Sequence, residues 1–154
     1  MTKRIDLASR LIQASPSIIY AAFTKPETLV QWLPPKNMVA TMLHFDFREG
    51  GSYHVRLTYK ESKEGQGKTS NDTDEVEVRL LKLVERKRIE QAITFESDDP
   101  AFSGVMRMTW LFEPAGDGTL VTIRAEDVPP GIQPEEHEIG MNSTLDNLAV
   151  FLGG

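Results

Sequence analysis

GVMRMTWLFEPAGDGTLVTIRAE, residues 104–126, carries the clearest secondary-structure pattern of the chain. Every second side chain of its first half is large and apolar, namely Met106, Met108, Trp110 and Phe112. Because successive side chains of a strand point to opposite faces, this alternation predicts a strand over 104–113 with one apolar face. A Gly-rich turn follows Pro114, and a last strand begins near Thr119. The stretch therefore predicts an antiparallel hairpin.

Downstream of this hairpin, residues 134–152 have the pattern of a long helix. Pro134 suits the first turn, where Glu135 and Glu136 also complement the helix dipole. Apolar side chains then recur on one helical stripe, at Met141, Leu145, Leu148 and Leu152. The sequence thus predicts a C-terminal helix with one apolar face.

Upstream of the hairpin, the chain predicts further strands and two short helices. Residues 4–14 have apolar side chains on both parities, which predicts a first strand partly covered on both faces. Ser15 and Pro16 begin one short helix and Pro26 begins the next. Period-two alternation then predicts strands at residues 38–48, 51–59, 75–84 and 88–96. The expected fold class is α+β, with about seven antiparallel strands.

HFDFREGGSYHV, residues 44–55, predicts the corner of one hairpin. A three-residue loop at 49–51 would pair Phe47 with Tyr53 and keep both rings on the same face as Phe45. A two-residue turn would put Tyr53 on the opposite face. Glycine supplies the left-handed residue that such loops need. No helix follows, so the glycines do not form a phosphate site.

Composition restricts the classes of function. The 154 residues, 40% hydrophobic and 26% charged, predict one domain over residues 1–154. A net charge of −6 argues against nucleic-acid binding, and the absence of cysteine excludes disulfides and thiolate chemistry. The longest apolar run, residues 18–23, is too short to span a bilayer. We expect a cytoplasmic protein without nucleic-acid or membrane partners.

Neither a metal site nor a catalytic site is predicted. The three histidines, His44, His54 and His137, lack a metal-binding spacing. His44 and His54 could meet across a hairpin, but no carboxylate accompanies them in sequence. The Gly-Gln-Gly of the polar loop 60–75 lacks the rest of a nucleotide-binding signature. We therefore expect no metal and no cofactor, and the catalytic residues remain unknown.

Four stretches resemble one known family. They are SRLIQASPSIIYAAFTKPETLVQWL (9–33), FDFREGGSY (45–53), MTWLFEPAGDGTLVTI (108–123) and GMNSTLDNLAVFL (140–152). In this order they resemble bacterial relatives of the heat-shock protein 90 ATPase activator, within the START and polyketide-cyclase (SRPBCC) superfamily. The resemblance implies a helix-grip fold, a curved sheet around the C-terminal helix that encloses a cavity for apolar molecules. The chain departs from the family at Met141, where the family often has Trp, and in its long loop 60–75.

A set of apolar and aromatic side chains is predicted to line this cavity. It comprises Trp32, Phe45, Phe47, Tyr53, Tyr59, Phe95, Met106, Met108, Trp110, Phe112, Met141, Leu145 and Leu148. Methionine adapts to different guests, and buried Tyr or Trp can orient a polar group of a ligand. Core packing is the alternative for each of them. Arg56 and Arg107 fall on the opposite parity and are expected to face solvent.

Three functions remain open at this point. The leading hypothesis is a non-enzymatic protein that binds a small apolar or aromatic molecule between sheet and helix. The second is a cyclase or hydrolase in which a Tyr or His assists proton transfer, as the superfamily suggests. The third is a co-chaperone that stimulates a heat-shock ATPase through its surface. Homodimerisation through an exposed sheet edge is also left open.

Overall fold

The computed structural model describes residues 4–35, 37–60 and 73–153. Its elements, in chain order, are β1 (Ile5–Ile12), α1 (Pro16–Ala21), α2 (Pro26–Trp32), β2 (Met38–Phe45), β3 (Ser52–Tyr59), β4 (Thr73–Val84), β5 (Arg88–Glu96), a 3-10 helix (Pro100–Phe102), β6 (Met106–Ala115), β7 (Gly118–Glu126) and α3 (Pro134–Phe151). The predicted order of strands and helices is confirmed. The fourth strand begins at Thr73 rather than at 75, and residues 61–72 of the predicted polar loop lie outside the described residues.

The seven strands in the described part of the chain form one antiparallel sheet with the order β1-β7-β6-β5-β4-β3-β2. From β2 to β7 each strand pairs with the next along the chain, whereas β1 pairs with β7, in a register that joins Ile5 to Glu126. The sheet is curved, and its inner face contacts α3. Over the residues described, the helices are too short or too polar to cross a lipid bilayer.

The apolar stripe of α3 packs against the inner face of the sheet, as predicted. Leu145 and Leu148 are completely buried, Met141 is nearly so, and Leu152 is half-buried. Two polar side chains attach the helix to the end of α2: Thr144 Oγ1 donates to the Leu33 carbonyl at 3.0 Å, and Asn147 donates to the Pro34 carbonyl at 2.7 Å. These bonds fix the height of α3 above the sheet.

The two short helices begin as the sequence predicts. Pro16 follows Ser15, whose Oγ accepts a hydrogen bond from the Ile18 amide at 3.3 Å and so caps α1. Pro26 occupies the first turn of α2, and Glu27 lies beside it at the positive end of that helix. Both helices close one end of the sheet.

β1 was predicted to be partly covered on both faces, and the structure shows that its two faces differ strongly in burial. Asp6, Ala8 and Ile12 are buried on the inner face, whereas Leu7 and Leu11 on the outer face are 56% and 48% exposed. No described element covers the outer face of the sheet, and β1 lies at its edge. Its outward leucines therefore remain in contact with water.

The register predicted for the β2–β3 hairpin is wrong, although its rings do lie together. Phe45, not Phe47, pairs with Tyr53, because six residues, 46–51, connect β2 to β3 instead of three. A bulge between Met42 and His44 also shifts the pairing by one residue. Phe45 packs on both neighbours, with ring centroids 6.2 Å from Phe47 and 5.9 Å from Tyr53. The three rings still lie together, because the extra residue at the bulge places Phe45 and Phe47 on the inner face of the sheet.

Two glycines make the turn of this hairpin. Gly50 has φ +81°, the left-handed conformation that was expected of one glycine here. A Cβ on Gly51 would lie 2.3 Å from the Asp46 carbonyl oxygen, so that position requires glycine for space. The amide of Gly50 and the carbonyl of Gly51 bond to Leu80 of β4, at 2.8 and 2.9 Å. The turn thereby continues the sheet.

Candidate ligand-binding cavity

A cavity of about 1360 Å³ lies between the inner face of the sheet and α3. Its floor is formed by side chains from five adjacent strands, among them Tyr53, Val55, Val76, Val78, Gln91, Ile93, Met106, Met108, Trp110 and Ile123. The helix contributes the opposite wall, with His137, Met141 and Thr144. Strand parity explains the apolar floor, because every second residue of each strand points inward. The space exceeds the roughly 300–1,000 Å³ of typical ligand pockets.

The structure divides the thirteen predicted site residues into two groups. Seven line the cavity: Tyr53, Tyr59, Phe95, Met106, Met108, Trp110 and Met141. Six do not line it and pack within or against the hydrophobic core: Trp32, Phe45, Phe47, Phe112, Leu145 and Leu148. Arg56 and Arg107 lie on the outer face, as expected, where they pair with Glu75 and Glu90.

Two of the six, Trp32 and Phe112, belong to an aromatic cluster that fills one end of the sheet. Phe23 of the α1–α2 segment lies at its centre, with ring centroids 4.8 Å from Trp32, 5.0 Å from Trp110 and 5.7 Å from Phe112. The indole N–H of Trp32 donates to the Ala22 carbonyl at 3.1 Å. Its one polar group is therefore used by the backbone, and Trp32 supports the end wall of the cavity.

Tyr53 and Gln91 form a polar pair in the apolar floor. Both residues are 3% exposed, and the Gln91 amide donates to the Tyr53 hydroxyl oxygen at 3.5 Å. Burial holds the pKa of Tyr53 well above its usual range, and the Gln91 hydrogen bond only partly offsets this effect. Because Gln91 is the donor, the Tyr53 O–H group keeps its own proton for a further acceptor.

The raised pKa of Tyr53 predicts a loss of stability at alkaline pH. The unfolded chain loses the tyrosine proton near pH 10, whereas the folded protein retains it, so the free energy of unfolding falls as pH rises above about 10. One such group contributes about 1.4 kcal/mol per pH unit. We expect urea unfolding at pH 9, 10 and 11 to show that the free energy of unfolding falls less steeply with pH in Tyr53→Phe than in the wild type. Parallel declines in both proteins would contradict this, since Tyr20 and Tyr59 are common to both.

Sequence reasoning missed a buried ionic group at the rim, formed by Arg4, Asp6 and His137. Asp6 is 8% exposed and accepts hydrogen bonds from His137 Nδ1 at 2.7 Å and from two Arg4 nitrogens at 2.9 and 3.1 Å. Burial raises the pKa of Asp6, but the bonds from Arg4 and His137 outweigh it and lower the net value. The sequence did contain one indication, because Asp6 falls on the face of β1 that points inward. A buried carboxylate needs a partner, so a basic side chain was to be expected near it.

Acidic side chains surround the mouth of the cavity. The first two turns of α3 place Glu135, Glu136 and Glu138 there, and Asp74 of β4 lies deeper, 3% exposed. Burial raises the pKa of Tyr59, and the charges of Asp74 and Glu136 raise it further. Among the described lining residues there is no lysine or arginine. The potential at the mouth therefore disfavours anions.

A second histidine-carboxylate group lies on the opposite, outer face of the sheet. His44 and His54 do pair across the hairpin, and neighbouring strands bring Glu75 and Glu96 to His54, which the sequence did not reveal. The possible ligand atoms of His54, Glu75 and Glu96 lie within 4.8 Å of one another. However, Arg56 also contacts Glu75, at 3.4 Å, and opposes a cation there. The absence of a bound metal stays a prediction.

A curved antiparallel sheet that wraps one long C-terminal helix defines the helix-grip, START-like class of domains. The family model for "Activator of Hsp90 ATPase homolog 1-like protein" matches residues 13–153, and the chain belongs to this family. No curated protein matches the sequence significantly.

Solved structures of bacterial proteins have the same fold. A crystal structure of a Chromobacterium violaceum protein is 29% identical, with a TM-score of 0.84 and 97% of each chain covered. A solution structure from Staphylococcus epidermidis is 23% identical, with a TM-score of 0.76, and the match covers 99% of this chain and 91% of that one. The second likeness concerns the fold alone.

Proposed function

We propose that this chain is a cytoplasmic protein that binds a small apolar or aromatic molecule between the sheet and α3. The observation that carries the proposal is the cavity of about 1360 Å³, whose floor comes from the inner faces of five strands. The side chains of a packed core leave few voids larger than a water molecule, whereas this space stays open between the sheet and α3, with the exposed Glu138 and Ile139 at its mouth. A space of this size with an apolar floor can bind a small apolar molecule.

The lining supports a guest of variable shape. Met106, Met108 and Met141 face the space from β6 and α3, and unbranched thioether side chains adapt to different surfaces. Trp110 and Phe95 offer flat aromatic surfaces beside them. An apolar or aromatic molecule of moderate size would bury its surface against these groups, with a gain of about 25 cal/mol per Å².

A thermal-shift screen tests this proposal. Ligands that bind only the folded state raise its apparent stability, by about 2.7 kcal/mol at a concentration of one hundred times Kd. We expect naphthalene derivatives or other fused aromatic compounds to raise Tm, and the NMR signals of the cavity methionine methyl groups to move with them. A broad panel of aromatics, polyketides and lipids that changes neither Tm nor these signals would disprove the proposal.

A second candidate function follows from the family description, which names an activator of the Hsp90 ATPase. Such activation would use a surface of the protein rather than its cavity. The test is the ATPase rate of the same organism's heat-shock protein 90 with and without this chain. A concentration-dependent rise in rate that a cavity-filling variant retains would favour this function over ligand binding. An unchanged rate would exclude it.

A further inference from the structure

We propose that His137 is the polar anchor of the cavity and that it selects ligands whose hydroxyl group donates a hydrogen bond to its Nε2 atom. The inference deepens the proposed function and rests on it. It assigns to the guest an apolar or aromatic body that bears one hydroxyl, as in a phenol or an enol. Carboxylates and fully capped ethers of the same body are the molecules that the site discriminates against.

Asp6 determines the tautomer of His137. Its Nδ1 lies 2.7 Å from an oxygen of Asp6, and a carboxylate only accepts hydrogen bonds, so Nδ1 carries the proton and donates. Arg4 holds the same carboxylate with two nitrogens and also donates to the Ile132 carbonyl at 2.7 Å. In the neutral imidazole Nε2 is then left as an acceptor.

The Nε2 atom of His137 is available to a ligand. His137 lines the cavity, and its side chain is only 13% exposed. Among the described residues, Asp6 is the one hydrogen-bond partner of its ring. Nε2 is not one of the fully buried polar atoms of the described residues, so it stays accessible to a donor group that enters the cavity. A hydroxyl group that reached Nε2 would provide this donor.

The charges and apolar side chains around His137 restrict the kind of ligand. The described lining residues include Asp74, Glu135, Glu136 and Glu138 but no basic side chain except His137, so a carboxylate would meet repulsion. Met141 lies one helical turn after His137 and also lines the cavity, so an apolar surface adjoins the anchor. A hydroxyl near one edge of an apolar body fits this arrangement.

Three naphthalene probes test the inference at pH 7.5: 2-naphthol, its methyl ether 2-methoxynaphthalene, and 2-naphthoate. We expect 2-naphthol to bind about tenfold more tightly than the ether, which corresponds to one net hydrogen bond, and 2-naphthoate to bind more weakly than both. In the wild type, the ¹⁵N signal of His137 Nε2 should move when 2-naphthol binds and should not move with the ether.

Variants separate recognition from a merely structural role. His137→Phe retains a ring but no polar group, and His137→Lys retains an N–H donor for Asp6 but has no acceptor, so both lose the acceptor that Nε2 provides. We expect both to reduce the preference for 2-naphthol over the ether to about twofold or less. His44→Phe is the matched control, because His44 is exposed on the outer face of the sheet, and it should keep the full preference.

The results that would contradict the inference differ from those that would contradict the proposed function. Equal wild-type affinity for 2-naphthol and the ether would overturn the inference and leave the proposed function intact. Retention of the preference in folded His137→Phe and His137→Lys would overturn it as well. Failure of all three probes, together with failure of the wider ligand panel, would disprove the proposed function itself. The wild-type affinities and the Nε2 signal decide the matter even if neither variant folds.

Discussion

Replacement of Trp32 by alanine should lower the free energy of unfolding by about 3–5 kcal/mol, the usual cost of removing a large buried aromatic side chain. Trp32 is completely buried, and its ring centroid lies 4.8 Å from Phe23 and 5.8 Å from Trp110. The substitution removes these ring contacts and also leaves the Ala22 carbonyl without its indole donor. Urea unfolding followed by circular dichroism measures the loss.

Trp32→Phe is the control for this prediction. It keeps a ring in the aromatic cluster and removes only the indole N–H and part of the ring area, so we expect a loss of about 1–2 kcal/mol. Because Trp32 does not line the cavity, ligand affinity of the folded protein should remain within about twofold for Trp32→Phe. A specific loss of ligand binding in this variant, without a matching loss of stability, would show that Trp32 contacts the ligand after all.

Replacement of Ile93 by tryptophan should abolish ligand binding while the protein stays folded. Ile93 lies on β5 between Val78 of β4 and Met106 of β6, and all three line the cavity floor. A tryptophan there would occupy the space that the ligand uses, and we expect Kd to rise by at least about tenfold. The empty volume can accept the larger ring, so the cost in stability should stay near or below that of ordinary overpacking, about 1–3 kcal/mol.

Thr94→Trp is the matched control, because Thr94 is the next residue of β5 and is exposed on the outer face. The same ring is added to the same strand, but outside the cavity. Titration of both variants with a ligand found by the thermal-shift screen should show loss of binding only for Ile93→Trp. Wild-type affinity in a folded Ile93→Trp protein would contradict the location of the site.

The elements of this fold were predictable because their apolar patterns are local. Period-two alternation located the strands, and the stripe on α3 was found to within one residue of its observed end. The register of β2 and β3 was not predictable in the same way. A single extra residue at the bulge between Met42 and His44 moves Phe45 opposite Tyr53, and alternation alone does not reveal which residue is extra.

The site was predicted in part, and for a physical reason. Parity tells which face of a strand a residue occupies but not how far along the sheet the helices cover that face. Met108 and Phe112 share one parity of β6, yet Met108 lines the cavity whereas Phe112 packs against Phe23. The pair of His137 and Asp6 spans 131 residues, and only the tertiary fold brings those two together.

The position of β1 also affects how the protein is made. Of the seven strands that the structure describes, β1 is synthesised first, whereas its neighbour in the sheet, β7, is synthesised last. Closing so long a loop is entropically costly and slows folding. On the ribosome, Ala8 and Ile12 on the inner face of β1 therefore lack their native neighbours on β7 until residue 126 has emerged, and α3 emerges later still. Until then this apolar face is exposed, and exposed apolar surface makes a folding intermediate prone to aggregation.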